Sequence, residues 1–112
     1  MKYKAIELYN DRNFVAGDDI ILVFKLRDMS GAYVSDPSVF TFEAQISADC
    51  GPGYTSEDVT FSDDEFTIIF AGSNTSNIWA GSYVAQVKMT DTAGLSYVVW
   101  SDLLYLAVGL ID

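Results

Sequence analysis

Apolar side chains recur at every second position through most of this chain, most clearly in Ser82-Tyr83-Val84-Ala85-Gln86-Val87-Lys88-Met89-Thr90. Tyr83, Ala85, Val87 and Met89 fall on one face and Val84, Gln86 and Lys88 on the other, which is the period of a strand. Turn signals bound the stretch: Trp79-Ala80-Gly81 leads in and Asp91-Thr92-Ala93-Gly94 leads out. Such a pattern points to an antiparallel β protein.

The same period continues elsewhere. Residues 4–9 read as a first strand, followed by a polar kink at Asn10-Asp11-Arg12-Asn13 and a turn at Ala16-Gly17-Asp18-Asp19. In residues 20–27, Ile20, Leu22, Phe24 and Leu26 face one way, while Ile21 and Val23 share the other face with Lys25 and Arg27, so that face is half covered. Turns follow at Asp28-Met29-Ser30-Gly31 and Asp36-Pro37-Ser38. Phe40, Phe42, Ala44 and Ile46 alternate with Thr41, Glu43 and Gln45, the mark of a sheet with one dry face. Residues 59–61 and 66–71 read as a hairpin turned by Ser62-Asp63-Asp64-Glu65, and Ser96 opens a last strand. Between them, residues 72–78 are too short and polar for a stable isolated helix, but one helical turn starting near Ser73 or Asn74 is expected.

These segments predict about seven strands in an all-β fold with no amphipathic helix to cover an open sheet. At 112 residues the chain forms one domain with a single core. Two packed sheets or a barrel would bury so many alternating faces, and the sandwich is favoured.

Half of the residues are apolar and 14% are aromatic, more than a disordered segment carries. Sixteen acidic against six basic residues leave a net charge of −10. No Lys or Arg lies between Asp28 and Val87. Such a surface repels phosphate backbones and anionic lipid heads, so neither nucleic acid nor membrane is an expected partner. No apolar run approaches the length that crosses a bilayer. The N-terminus lacks the apolar core of a secretory signal, so synthesis in the cytoplasm is expected.

Catalytic and metal-binding patterns are sparse. There is no histidine, and Cys50 is the only cysteine, so no intrachain disulfide forms and a thiol nucleophile has no obvious base. Asp63-Asp64-Glu65 and Glu57-Asp58 fall at expected loop tips and read as turn residues rather than an acid–base pair across a cleft. An ion between loops would use Asp18 and Asp19 or Asp63 and Asp64, but calcium-loop spacing is absent, as are the usual zinc ligands. No enzymatic activity, metal or cofactor is expected. Trp79 and Trp100, with Tyr33 and Tyr54, could instead build an aromatic platform for sugar rings. Their other reading is packing in the core or at the rim, because Trp79 directly precedes the Ala80-Gly81 turn.

The C-terminal segment, Leu103-Leu104-Tyr105-Leu106-Ala107-Val108-Gly109-Leu110-Ile111, is apolar on both faces. Left in water it would invite aggregation, so something covers it. Either the last strand pairs within its own sandwich, or a neighbouring subunit takes up the tail. In the second case Leu106, Val108, Leu110 and Ile111 are the partner-binding residues.

Phe14-Val15-Ala16-Gly17-Asp18-Asp19, the strand over 20–26 and the turn Asp28-Met29-Ser30-Gly31 form one group of motifs. Trp79-Ala80-Gly81-Ser82-Tyr83 and the later turn Asp91-Thr92-Ala93-Gly94 form another. Together they resemble the small immunoglobulin-like β-sandwich domains of tailed-bacteriophage virions, found at the N-terminus of baseplate upper proteins and as short stand-alone tail or neck proteins. The similarity spans most of the chain. It implies an immunoglobulin-like antiparallel β-sandwich of about seven strands. It also implies a structural role in the tail, baseplate, neck or head surface of a virion, in contact with other virion proteins or copies of itself. Trp79-Ala80 stands where family versions often carry prolines, and the further domains of baseplate proteins are absent, which suits a stand-alone accessory subunit. Two alternatives remain: a carbohydrate-binding or adhesive module using Trp79, Trp100, Tyr33 and Tyr54, and an acidic decoy for a basic host protein.

Overall fold

The strand over 20–28 shows how the sequence pattern becomes a layer. Ile20, Leu22, Phe24 and Leu26 are buried, and the residues between them are exposed or half-buried. The computed structural model describes residues 3–9, 13–15, 17–47, 53–75 and 81–107. Within them β1 (Tyr3–Glu7), β3 (Ile20–Asp28), β7 (Glu65–Phe70) and β6 (Val59–Ser62) form one sheet, in that order. The second sheet has the order β2 (Asn13–Val15), β9 (Ser96–Ala107), β8 (Gly81–Thr90), β4 (Thr41–Ser47) and β5 (Tyr54–Ser56).

The two sheets enclose one core of alternating side chains, including Leu22, Phe24, Phe66 and Ile68 from the first and Phe42, Ile46, Val87 and Leu104 from the second. The order β1-β3-β7-β6 corresponds to A-B-E-D of an immunoglobulin sandwich, and β9-β8-β4-β5 to G-F-C-C′. The fold is therefore an immunoglobulin-like β-sandwich, as expected. No cystine joins its layers, and stacked aromatic rings fill the centre instead.

Two strands exceed the sequence reading. β2 and β5 are three residues each, too short to show a period. β2 also departs from an all-antiparallel arrangement. It pairs parallel with β9, Asn13 opposite Tyr105 and Val15 opposite Ala107, because the chain changes sheets after β1. The expected helical turn is present as α1 (Gly72–Thr75). The expected hairpin is present too, with Ser62 opposite Glu65 and Asp63 at a φ of 55°, a conformation that Asp tolerates better than most residues.

The loops after β3 and β8 share one wiring. Asp28 Oδ1 accepts the backbone N–H of Ser30 and Ala32, and Asp91 Oδ1 accepts those of Ala93 and Leu95. In each loop the Gly three residues on takes a positive φ, 94° at Gly31 and 86° at Gly94. Both loops lie at the same end of the sandwich, since Thr41 is opposite Thr90 where β4 begins and β8 ends.

Candidate interaction surfaces

The outer face of the five-stranded sheet is built by the residues that the core leaves out. In β8 these are Ser82, Val84, Gln86 and Lys88, all exposed. In β9 they include Val98, Ser101, Leu103 and Tyr105. A β-bulge keeps the upper part of β9 in phase: Val87 is opposite Trp100 and Lys88 opposite Val98, so Val99 is the extra residue and is buried.

An apolar cluster crosses three strands of this face. Leu103 is directly opposite Val84, Tyr105 follows Leu103 on the same side of β9, and Val15 stands beside Ala107 on β2. Leu103 and Tyr105 are each 47% exposed, and Val84 and Val15 each 39%. Cross-strand neighbours of this kind have Cβ atoms about 4.5–5.5 Å apart, so the cluster is continuous rather than scattered. Polar groups surround it: Ser82, Ser101, Gln86 and Asn13.

Charge sets the face apart from the rest of the chain. Among the described residues its charged side chains are Lys88 and Glu43, opposite one another and 3.9 Å apart, so the face is neutral. The opposite outer face, on the four-stranded sheet, carries Lys4 opposite Arg27 and Lys25 opposite Glu65, with Lys25 Nζ also 3.4 Å from Asp64. Several other acidic residues sit in loops and turns or at a strand end, among them Asp28, Asp36, Asp58, Asp63 and Asp91.

A groove of about 400 Å³ opens on the flank between β4 and β6, where β4 has not yet met β5. Phe40, Phe42, Val59 and Phe61 line its apolar part, and Glu43, Glu57 and Lys88 its rim. Among the described residues no group of three or more His, Cys, Asp or Glu side chains is placed to hold a metal ion. Of the carboxylates considered for an ion, Asp19 accepts the N–H of Gly72 at 2.6 Å and Asp64 pairs with Lys25.

The predicted partner-binding residue Leu106 is corrected. Its side chain is in the core at 3% exposure, and its strand is paired on both sides, with Gly81 of β8 and Phe14 of β2. Inward parity has already committed it to the chain's own sandwich. Val108, Leu110 and Ile111 lie outside the described residues, as does Trp79. The remaining aromatic residues do not form one exposed surface. Trp100 is half-buried, its ring edge-on to Phe24 at 5.1 Å. Tyr33 is exposed beside Arg27, with Lys25 Nζ 5.4 Å from its ring centroid. Tyr54 packs against the core opposite Ile46, at the other end of the sandwich.

The sequence reading did not name Val15, Val84, Val98, Leu103 and Tyr105 as partner-binding residues. Their signal was present as apolar residues on the second face of otherwise alternating strands, and only the register identifies which face is outside.

No protein-family model matches the chain, and no curated protein sequence matches it. Among solved structures it is similar to the endo-β-1,4-mannanase from Thermotoga petrophila, at 8% identity and a TM-score of 0.54. The match covers 97% of this chain and 20% of the mannanase, so the chain spans about a fifth of that enzyme's length. At that identity the likeness is one of fold.

Proposed function

We propose that this chain is a non-enzymatic structural subunit of a tailed-bacteriophage particle, made in the bacterial host and acting through protein–protein contacts. The observation that carries the contact role is the neutral outer face of the five-stranded sheet with Val15, Val84, Leu103 and Tyr105 exposed on it. A preformed sandwich docking by such a face gains about 25 cal/mol for each Å² of apolar surface removed from water, without ordering a loop. The particle itself is inferred from the sequence motifs: Phe14 to Asp19, Asp28 to Gly31, Trp79 to Tyr83 and Asp91 to Gly94. Tail, baseplate, neck and head surface all accommodate the reading.

The test is mass spectrometry of particles purified from a host carrying the coding sequence. The chain is expected in repeated, stoichiometric copies, and Leu103→Asp is expected to lower its incorporation. Purified particles that lack the chain would overturn the reading.

The carbohydrate-binding alternative draws on the fold likeness to a mannanase. Its described aromatic residues lie apart, which leaves it without a stacking surface there. Calorimetry with manno-oligosaccharides, repeated on Trp79→Ala, tests it: binding lost in a folded variant would favour a glycan site.

A further inference from the structure

We infer that the outer face of the five-stranded sheet is an isologous interface, and that its occupant is a second copy of this chain packed face to face about a two-fold axis. The inference rests on the reading of this face as a contact surface and names its partner.

Position on the face is the first argument. Outward residues along β9 run from Ser96 through Val98, Ser101, Leu103 and Tyr105 to Ala107, and β9 and β8 are inner strands of the sheet. Leu103 and Val84 therefore stand near its centre in both directions, with Tyr105 to one side and Val98 to the other. A two-fold axis there sets the Leu103–Val84 pair against itself and brings Tyr105 of one copy toward Val98 of the other. An apolar centre inside a rim of Ser, Thr, Gln and Asn is the anatomy of a specific interface.

Charge is the second. Two copies each carrying −10 repel one another over most approaches. The neutral face permits close contact, because its one ion pair, Lys88 with Glu43, is balanced within each copy. A basic partner would find no net charge to complement on this face and would be drawn to the acidic turns instead. The rim is also complementary to itself, because hydroxyls and amides both donate and accept hydrogen bonds.

Area is the third. The five strands, of 3, 12, 10, 7 and 3 residues, present roughly 570 Å² at about 3.4 Å per residue and about 4.8 Å between strands, so two copies bury about 1,100 Å² together, the size of a weak specific contact. Two sheets of this size pack face to face in the same way as the layers within a sandwich.

Sedimentation velocity on the isolated chain, from about 1 μM to about 1 mM, is the test. A concentration-dependent species of twice the 12.3 kDa monomer mass is expected. Leu103→Asp sets two carboxylates against each other at the axis and should weaken the dimer about 100-fold or more, and Leu103→Lys should do the same. Mixing the two variants should restore a dimer, which neither misfolding nor loss of surface area can mimic. Ile21→Asp, on the outer face of the other sheet, should leave association unchanged. A chain that stays monomeric throughout the range, or a Leu103→Asp variant that dimerises like the parent, overturns the inference. If the parent is monomeric while Leu103→Asp is still excluded from particles, self-association is wrong and the assembly role stands. If the parent dimerises but particles lack the chain, the reverse holds.

Discussion

Phe42 and Phe66 stack across the gap between the two sheets, with ring centroids 4.0 Å apart and ring planes 17° from parallel. Phe66 also stacks on Phe24 at 5.2 Å, and Phe24 meets the edge-on ring of Trp100 at 5.1 Å. The rings join β4, β7, β3 and β9, so a single aromatic train ties both layers. Truncating its middle member leaves a cavity that the neighbouring rings cannot close. Phe66→Ala is expected to lose about 3–5 kcal/mol, a large part of what a domain of this size possesses. Urea unfolding measures it; a loss under about 1 kcal/mol would show that the layers are held together elsewhere.

Gly72 is fixed by close approach. A Cβ there would lie 2.2 Å from the carbonyl oxygen of Gly17, while the Gly72 N–H donates to Asp19 Oδ1 at 2.6 Å. Gly72→Ala must push the backbone at Gly17 and Asp18 away from α1, at a cost of about 1–3 kcal/mol. Asp19→Ala strands the same N–H and should cost a similar amount. Because both changes strike one junction, the double variant should be less destabilised than the sum, which denaturation midpoints of the three variants will reveal.

Acid should weaken the loop after β3. Hydrogen bonds lower the Asp28 carboxyl below its ordinary 3.8, chiefly from the Ser30 hydroxyl, assisted by the backbone N–H groups of Ala32, Ser30 and Gly31. A carboxyl lowered by folding stabilises the native state fully above its unfolded value, and the contribution fades as pH falls through the folded one. Asp28→Ala should therefore be less stable than the parent near neutrality, and the gap should narrow below about pH 4. Melting curves taken across that range test the sign.

Alkali should act at the other strand junction. Burial pushes the Tyr97 hydroxyl above its ordinary 10.0, although it accepts the Tyr3 N–H at 3.0 Å. A group raised by folding contributes its stability below the unfolded value and loses it as pH rises through the folded one. Stability should accordingly fall above about pH 10. In Tyr97→Phe that fall should be shallower, and the amide of Tyr3 should exchange faster with solvent.

Much of this architecture follows from local rules. Alternation in residues 20–27, 40–46 and 82–90 is tied to the two-residue pleat, so it assigns both the strands and their inward side chains before any partner is known. The Asp-x-x-Gly turns are equally local, since each Asp carboxylate reaches only the backbone of its own loop. β2 and β5 escape such rules because three residues carry no period, and their pairing partners are 92 and ten or so residues away in sequence.

The sequence by itself determined that the chain is an all-β sandwich, where its main strands and turns lie, and that residues 103–107 are apolar on both sides. Only the tertiary structure decided that Leu104 and Leu106 turn into the core while Leu103 and Tyr105 face outward beside Val84. The reason is physical. Periodicity separates two faces of a strand but cannot name the dry one when both are apolar; that choice is made by register against β8, by the extra residue at Val99 and by the parallel addition of β2.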